Sequence, residues 1–234
     1  MPPPFPRMDP LSARLLTALE HLRALFTLPV AWARNLSDRR EVIDADVEQW
    51  LEVLGANDGV RGLHSLLYAF GEFRALYYHR LAGGNATGAL AAKVLARIWR
   101  PTESLTITTA EIGPGLFVAH GQATCIAAER IGRNCYVHHG VTIGWDYRGE
   151  RAPVLGDGVF VGTGAAILGE VTIGDGARIG ANAVVLCDVP AGATAVGAPA
   201  RVVATPSPSA LHPTAERTVE EAGVSGRGGG RAAR

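Results

Sequence analysis

The stretch Ile173-Gly-Asp-Gly-Ala-Arg-Ile179-Gly-Ala-Asn-Ala-Val-Val185 decides the fold. An aliphatic residue returns at every sixth position. Glycine follows Ile173 and Ile179, and Ala177 and Ala183 stand four residues after them. Stepping by six from Ile131 lands on Val137, Ile143, Gly149, Leu155, Val161, Ile167, Ile173, Ile179, Val185 and Ala191. Glycine follows the marker at 132, 144, 156, 162, 174, 180 and 192. The small or β-branched position four residues on holds Cys135, Val141, Val159, Ala165, Val171, Ala177, Ala183 and Val189. A helix repeats every 3.6 residues and a strand every two, so neither accounts for a period of six.

That period describes a triangular coil. Each unit gives one short strand and one corner, the marker pointing inward and glycine allowing the turn. Three units close a coil of about eighteen residues, and successive coils hydrogen-bond about 4.8 Å apart. A single coil cannot bury its own face, so the core forms by stacking. The expected fold is a left-handed parallel β-helix with an α-helical N-terminal domain.

The rest of the chain is organised around this segment. Residues 1–100 read as a helical N-terminal domain, 101–204 as the β-helix and 205–234 as a disordered tail rich in Ser, Pro, Gly and Ala. Helical stripes run through Leu15, Leu16, Leu19, Leu22 and Leu25, and through Val47, Trp50, Leu51 and Leu54. A third links Leu63, Leu66, Leu67, Phe70, Phe73 and Leu76, and a fourth covers Ala89 to Trp99 before Pro101. Such stripes mark core, and a helical cap would cover the open strand edges of the first coil.

Composition narrows the functional classes. Basic and acidic residues balance at 22 each, so no net field draws nucleic acid or an anionic membrane. The apolar run near Leu25 to Ala33 is too short to span a bilayer. Met1-Pro-Pro-Pro-Phe-Pro6 lacks the pattern of a secretory signal. Cys125, Cys135 and Cys187 fit neither a zinc site nor a disulfide framework, which suits a reducing, cytoplasmic setting.

Two breaks in the frame draw attention. The step from Thr124 to Ile131 is seven, an insertion of one residue. Trp145 to Pro153 lacks an aliphatic marker and reads as a loop leaving the coil. His120 and His139 each lie two residues after a marker, Val118 and Val137, one coil apart. Their imidazoles should stack in one column, and a neutral imidazole there can take a proton from a hydroxyl. If the loop keeps the phase, Asp157 follows in that column and can orient an imidazole. His64, His79 and His212 read as structural or solvated, and His21 and His138 carry no signal.

The run from Ile173 to Val185, then Asp188-Val-Pro and Val196-Gly-Ala-Pro-Ala-Arg201, resembles the C-terminal signature of hexapeptide-repeat acyltransferases. Gly115-Leu-Phe-Val-Ala-His120-Gly-Gln-Ala-Thr and the helical N-terminal segment resemble the serine O-acetyltransferases, in particular the divergent kind of biosynthetic clusters. The resemblance implies a homotrimer with active sites between neighbouring β-helices and acetyl-CoA as co-substrate. It implies that His120 takes the proton of the acceptor hydroxyl, whose oxygen attacks the thioester without an acyl-enzyme. CoA contacts would fall on Gly144, Thr163, Gly164, Ala181 and Arg201, with no metal. The family's acid before the histidine is Ala119 here, its acid one coil earlier falls at Leu105 and Thr106, and its loop His-Pro is Ala152-Pro153. His139 or Asp157 would then fill a vacant role. Serine or a serine-like compound is the expected acceptor, a sugar or polysaccharide precursor the alternative. Two further readings remain open: a γ-carbonic-anhydrase-like metal protein using His120, His138 and His139, and a non-catalytic scaffold.

Overall fold

The computed structural model describes residues 27–56, 59–146, 149 and 151–203. The expected Leu15 to Leu25 stripe, the tail and part of the loop lie outside the described residues. From Leu105 onward the chain winds as a left-handed parallel β-helix with three sheets. Sheet A stacks β1 (Leu105–Ile107), β4 (Thr124–Ile126), β7 (Thr142–Gly144), β10 (Ala166–Leu168) and β13 (Val184–Val185). Sheet B stacks β2 (Glu111–Ile112), β5 (Arg130–Ile131), β8 (Val154–Leu155) and β11 (Thr172–Ile173). Sheet C stacks β3 (Phe117–Val118), β6 (Tyr136–Val137), β9 (Phe160–Val161), β12 (Arg178–Ile179) and β14 (Thr194–Val196). β15 (Arg201–Val203) then turns back antiparallel on β14 and closes that end.

The registers identify the inward ladders. Ile107, Ile126, Ile143, Ile167 and Val185 form one, and Ile112, Ile131, Leu155 and Ile173 the second. Val118, Val137, Val161, Ile179 and Ala195 form the third. All but a few are wholly buried, and each such aliphatic side chain contributes about 1.5–3 kcal/mol.

Three details of the sequence frame are corrected. The inward residue of β4 is Ile126, paired with Ile143, so Thr124 is not a marker. The extra length therefore lies between Val118 and Ile126, and the next step to Ile131 is short. The loop after β7 adds six residues, since Val137 pairs with Val161 rather than with Leu155. Ala191 is exposed, because Val189 bridges Ile173 and Ala195 takes the next inward place.

The helical part packs on the first coils. It comprises a helical segment at 27–32, a short turn of helix at Ala33–Leu36, α1 (Arg40–Val53), α2 (Gly59–Ala69), α3 (Gly71–Ala82) and α4 (Ala86–Ile98). The single stripe expected from Leu63 to Leu76 is split, because Phe70 is extended and Gly71 starts a new helix. A side chain at Gly71 would collide with Thr102, whose amide donates to the Gly71 carbonyl. Trp50 joins the cap to the coils: its indole N–H donates to the Leu116 carbonyl at 2.9 Å, and its ring lies 4.5 Å from Phe117. On α4, Leu90, Val94 and Ile98 are exposed rather than core, whereas Ala92 and Leu95 face inward. Among the described residues, no helix is long and apolar enough to cross a membrane.

Candidate active site

The corner between sheets C and A carries a ladder of five residues, each two beyond an inward residue of sheet C: His120, His139, Thr163, Ala181 and Gly197. Backbone bonds lock this corner from coil to coil. The Gly140 amide donates to the Gln122 carbonyl at 2.9 Å, Gly164 to His139 at 3.0 Å and Asn182 to Thr163 at 2.8 Å. The chain turns with positive φ at Ala123, Gly140, Gly164 and Asn182.

His120 and His139 stack on this ladder with ring centroids 6.1 Å apart and planes at 66°. His120 is exposed and has φ 58°, and the Gln122 amide folds back onto its carbonyl. Histidine tolerates that backbone region better than most residues, and such outliers gather at functional sites. His139 sits deeper, and its Nδ1 is buried with no hydrogen-bond partner among the described residues. His138 lies 6.2 Å from His139, against Tyr136 at 5.0 Å and Phe160 at 5.4 Å. Burial first, then the neighbouring His139 and His120, push the His138 imidazole below its ordinary value.

Asp157 does not join the column. It follows Leu155 on sheet B, and its carboxylate accepts from the Arg133 amide at 2.7 Å, at the corner between sheets B and C. The six-residue loop shifts the phase by one face, so Thr163 takes the place expected for Asp157. Thr163, Gly164 and Ala181 do lie beneath the histidines. Gly144 closes β7, at the far end of that strand from the corner, and Arg201 is exposed on β15. The amides of His139, Thr163 and Ala181 donate to no backbone carbonyl among the described residues.

One residue at this corner escaped the sequence reading. Glu72, in the first turn of α3, lays its stem against Gly121: a Cβ on Gly121 would stand 2.7 Å from Glu72 Cγ and 3.2 Å from Leu105 Cδ2. The cap thus brings the stem of an acidic side chain beside the residue that follows His120. No signal in the six-residue frame points to it, because it comes from a helix. Ala119, Leu105 and Ala152 are buried and apolar. Beneath the loop, Arg151 makes a two-pronged bond to Glu129 at 2.7 and 3.0 Å and lies 3.7 Å from Glu170. Trp145 at the loop's start is exposed. Among the described residues, no three His, Cys, Asp or Glu side chains converge to hold a metal ion.

Residues 152–187 match the family model described as bacterial transferase hexapeptide (six repeats). The serine acetyltransferase of Helicobacter pylori strain J99 is 39% identical over 157 residues, covering 64% of this chain and 92% of that protein. The serine acetyltransferase of Synechocystis is 36% identical over 190 residues, covering 78% and 68%. The chain belongs to the serine acetyltransferase family. Solved serine acetyltransferases share its fold. That of Neisseria gonorrhoeae in complex with serine superposes with a TM-score of 0.55 at 34% identity, covering 70% of this chain and 68% of the other. The soybean apoenzyme gives 0.55 at 35%, covering 70% and 69%. Within this family the chain is an acyltransferase whose described corner carries two stacked imidazoles, with the stem of Glu72 from the cap beside them.

Proposed function

We propose that the chain is an acetyl-CoA-dependent O-acetyltransferase working at the corner between sheets C and A. The observation that carries this reading is the stacked pair His120 and His139 at the head of the corner ladder. His120 takes the proton of the acceptor hydroxyl, and the oxygen attacks the thioester carbonyl directly. The new C–O bond forms as the C–S bond breaks, and the proton passes from the imidazole to the departing thiolate. His139, with a buried Nδ1 open to a partner, holds the acceptor or the thioester in line. Amides at Thr163 and Ala181 suit the carbonyls of a pantetheine arm, with Gly164 giving close approach and Gly144 and Arg201 extending the contact surface. His120 is exposed at the rim, which suits an active site completed by a neighbouring copy in a homotrimer.

Serine or a serine-like compound is the acceptor by kinship. A sugar hydroxyl is the alternative acceptor. The test is thiol release from acetyl-CoA with a panel of L-serine, serine-like compounds and free sugars. The expected result is turnover on one acceptor class, lowered about 10²–10⁴-fold in His120→Ala. Turnover undiminished in that variant overturns the mechanism, and no turnover on any acceptor overturns the activity.

A further inference from the structure

A cavity lies one corner away from His120 and His139, between the cap and sheet B. It has a volume of about 560 Å³ and is lined by Arg39, His79, Arg80 and Gly83 of the cap, by 110–113 and 130–133 of two successive coils, and by Asp157 of a third. That volume falls within the range of small-molecule sites. The width of sheet C separates it from His120 and His139.

Its arginines gather at one place with few partners. Several guanidinium groups outside it are matched, Arg34 to Asp44, Arg100 to Glu103, and Arg151 to Glu129 and Glu170, while Arg178 lies over the Phe160 ring. Arg80 is saturated too, held by both oxygens of Asp46 and donating to the carbonyls of Ile112 and Gly113. Arg39, Arg130 and Arg133 have no ion pair among the described residues; the Arg39 guanidinium makes one long bond, 3.4 Å, to the Gly83 carbonyl. Two carboxylates share the cavity. Asp157 is engaged by the Arg133 amide, and Glu111 stands beside Arg130 in the sheet register without pairing within 4 Å. Burial holds the His79 imidazole below its ordinary value and so keeps it neutral. The balance is three open guanidinium groups, from the cap and one coil, against two carboxylates.

We propose that this cavity binds a small multivalent oxyanion, of the class of phosphate-bearing or polycarboxylate metabolites. Guanidinium forks match such groups in pairs of parallel bonds. The ligand joins Arg39 of the cap to Arg130 and Arg133, on the coil that also carries His139, and so fastens the cap to that coil.

The experiment is calorimetric titration of the full chain with pyrophosphate and, separately, citrate, in chloride at constant ionic strength. One saturable site per chain is expected with either probe. Arg130→Gln/Arg133→Gln weakens it at least about tenfold, as does Arg39→Gln from the other wall, whereas His120→Ala binds as the parent does. Arg130 and Arg133 are exposed and unpaired, so the double variant should keep the parent's melting point in chloride. Preference for pyrophosphate or for citrate assigns the phosphate or the carboxylate source. Absence of saturable heat with both probes overturns the proposal. Equal binding by the arginine variants overturns it too, and so does loss of binding in His120→Ala, which would move the anion to the active corner.

Discussion

His120 stands at φ 58°, on a step from Val118 to Ile126 that is longer than the repeat, and the next residue is a glycine pressed by the cap. These facts concern one bend of the chain. The extra residues let it swing out, the left-handed angle turns the imidazole to the rim, and Gly121 leaves room for the Glu72 stem. Gly121→Ala puts a methyl 2.7 Å from Glu72 Cγ, so the carboxylate has to move. We expect acetyl transfer to fall about tenfold or more, since small displacements at a reacting centre cost much, with stability lowered by about 1–2 kcal/mol. Steady-state kinetics and urea melts check this. Parent-like kinetics would separate Glu72 from the chemistry. The histidine column was legible, because side chains two beyond successive inward residues must stack. Glu72 was not, because its place depends on how a helix lands on the coils.

The coil teaches a different lesson about glycine. Gly115, Asn134, Gly158, Gly176 and Gly192 all turn the B–C corner with positive φ, and at Gly176 and Gly192 backbone geometry and not contact selects glycine. Gly176 shows this cleanly, with φ 65° and nothing within 4 Å of an added Cβ. Gly132 is the opposite case: a Cβ there would overlap the backbone of Gly156 in the next coil. Gly176→Ala is therefore expected to cost about 1–2 kcal/mol, and Gly132→Ala more, since two coils would have to part. Chemical denaturation of both variants tests the order, and equal losses would show that angle and contact had been wrongly divided. The six-residue period was readable because every coil repeats one steric problem. The phase after the loop was not, since two ordinary repeats between Ile143 and Leu155 and one repeat carrying a six-residue insertion leave the same marks on either side.

At the scale of the molecule, cap and coil are joined through one buried polar knot. Arg80 and Asp46 pair in two places, Asp46 also accepts from the Gly115 amide at 2.7 Å, and Arg80 reaches the Ile112 and Gly113 carbonyls. Burial pushes the Asp46 carboxyl above its usual range, and Arg80 pulls it back. Asp46→Ala strands a buried guanidinium and is expected to cost about 3–5 kcal/mol, read as a lower thermal midpoint. Nothing local in the sequence marks this pair, because its partners lie 34 residues apart, on α1 and α3, and meet only when those helices pack.

Buried imidazoles in cap and coil bear on the acid stability of the fold. Burial comes first among the causes that lower His64, His79 and His138, with Arg34, Arg80 and the neighbouring imidazoles adding to it. Each is held neutral in the folded chain below the ordinary 6.5. The unfolded chain then takes up protons first as pH falls, so folded stability is full above 6.5 and declines as pH drops towards each lower folded value. Thermal midpoints measured from about pH 7.5 down to about 5.5 should therefore fall. His138→Gln removes one of the three titrations and the repulsion His138 meets from His139 and His120. Its midpoint should fall less steeply over that range, whatever its value at the start. Parallel curves for parent and variant would mean that the His138 imidazole is no harder to protonate in the fold than in water, and that its contact with Tyr136 and Phe160 does not exclude the charge.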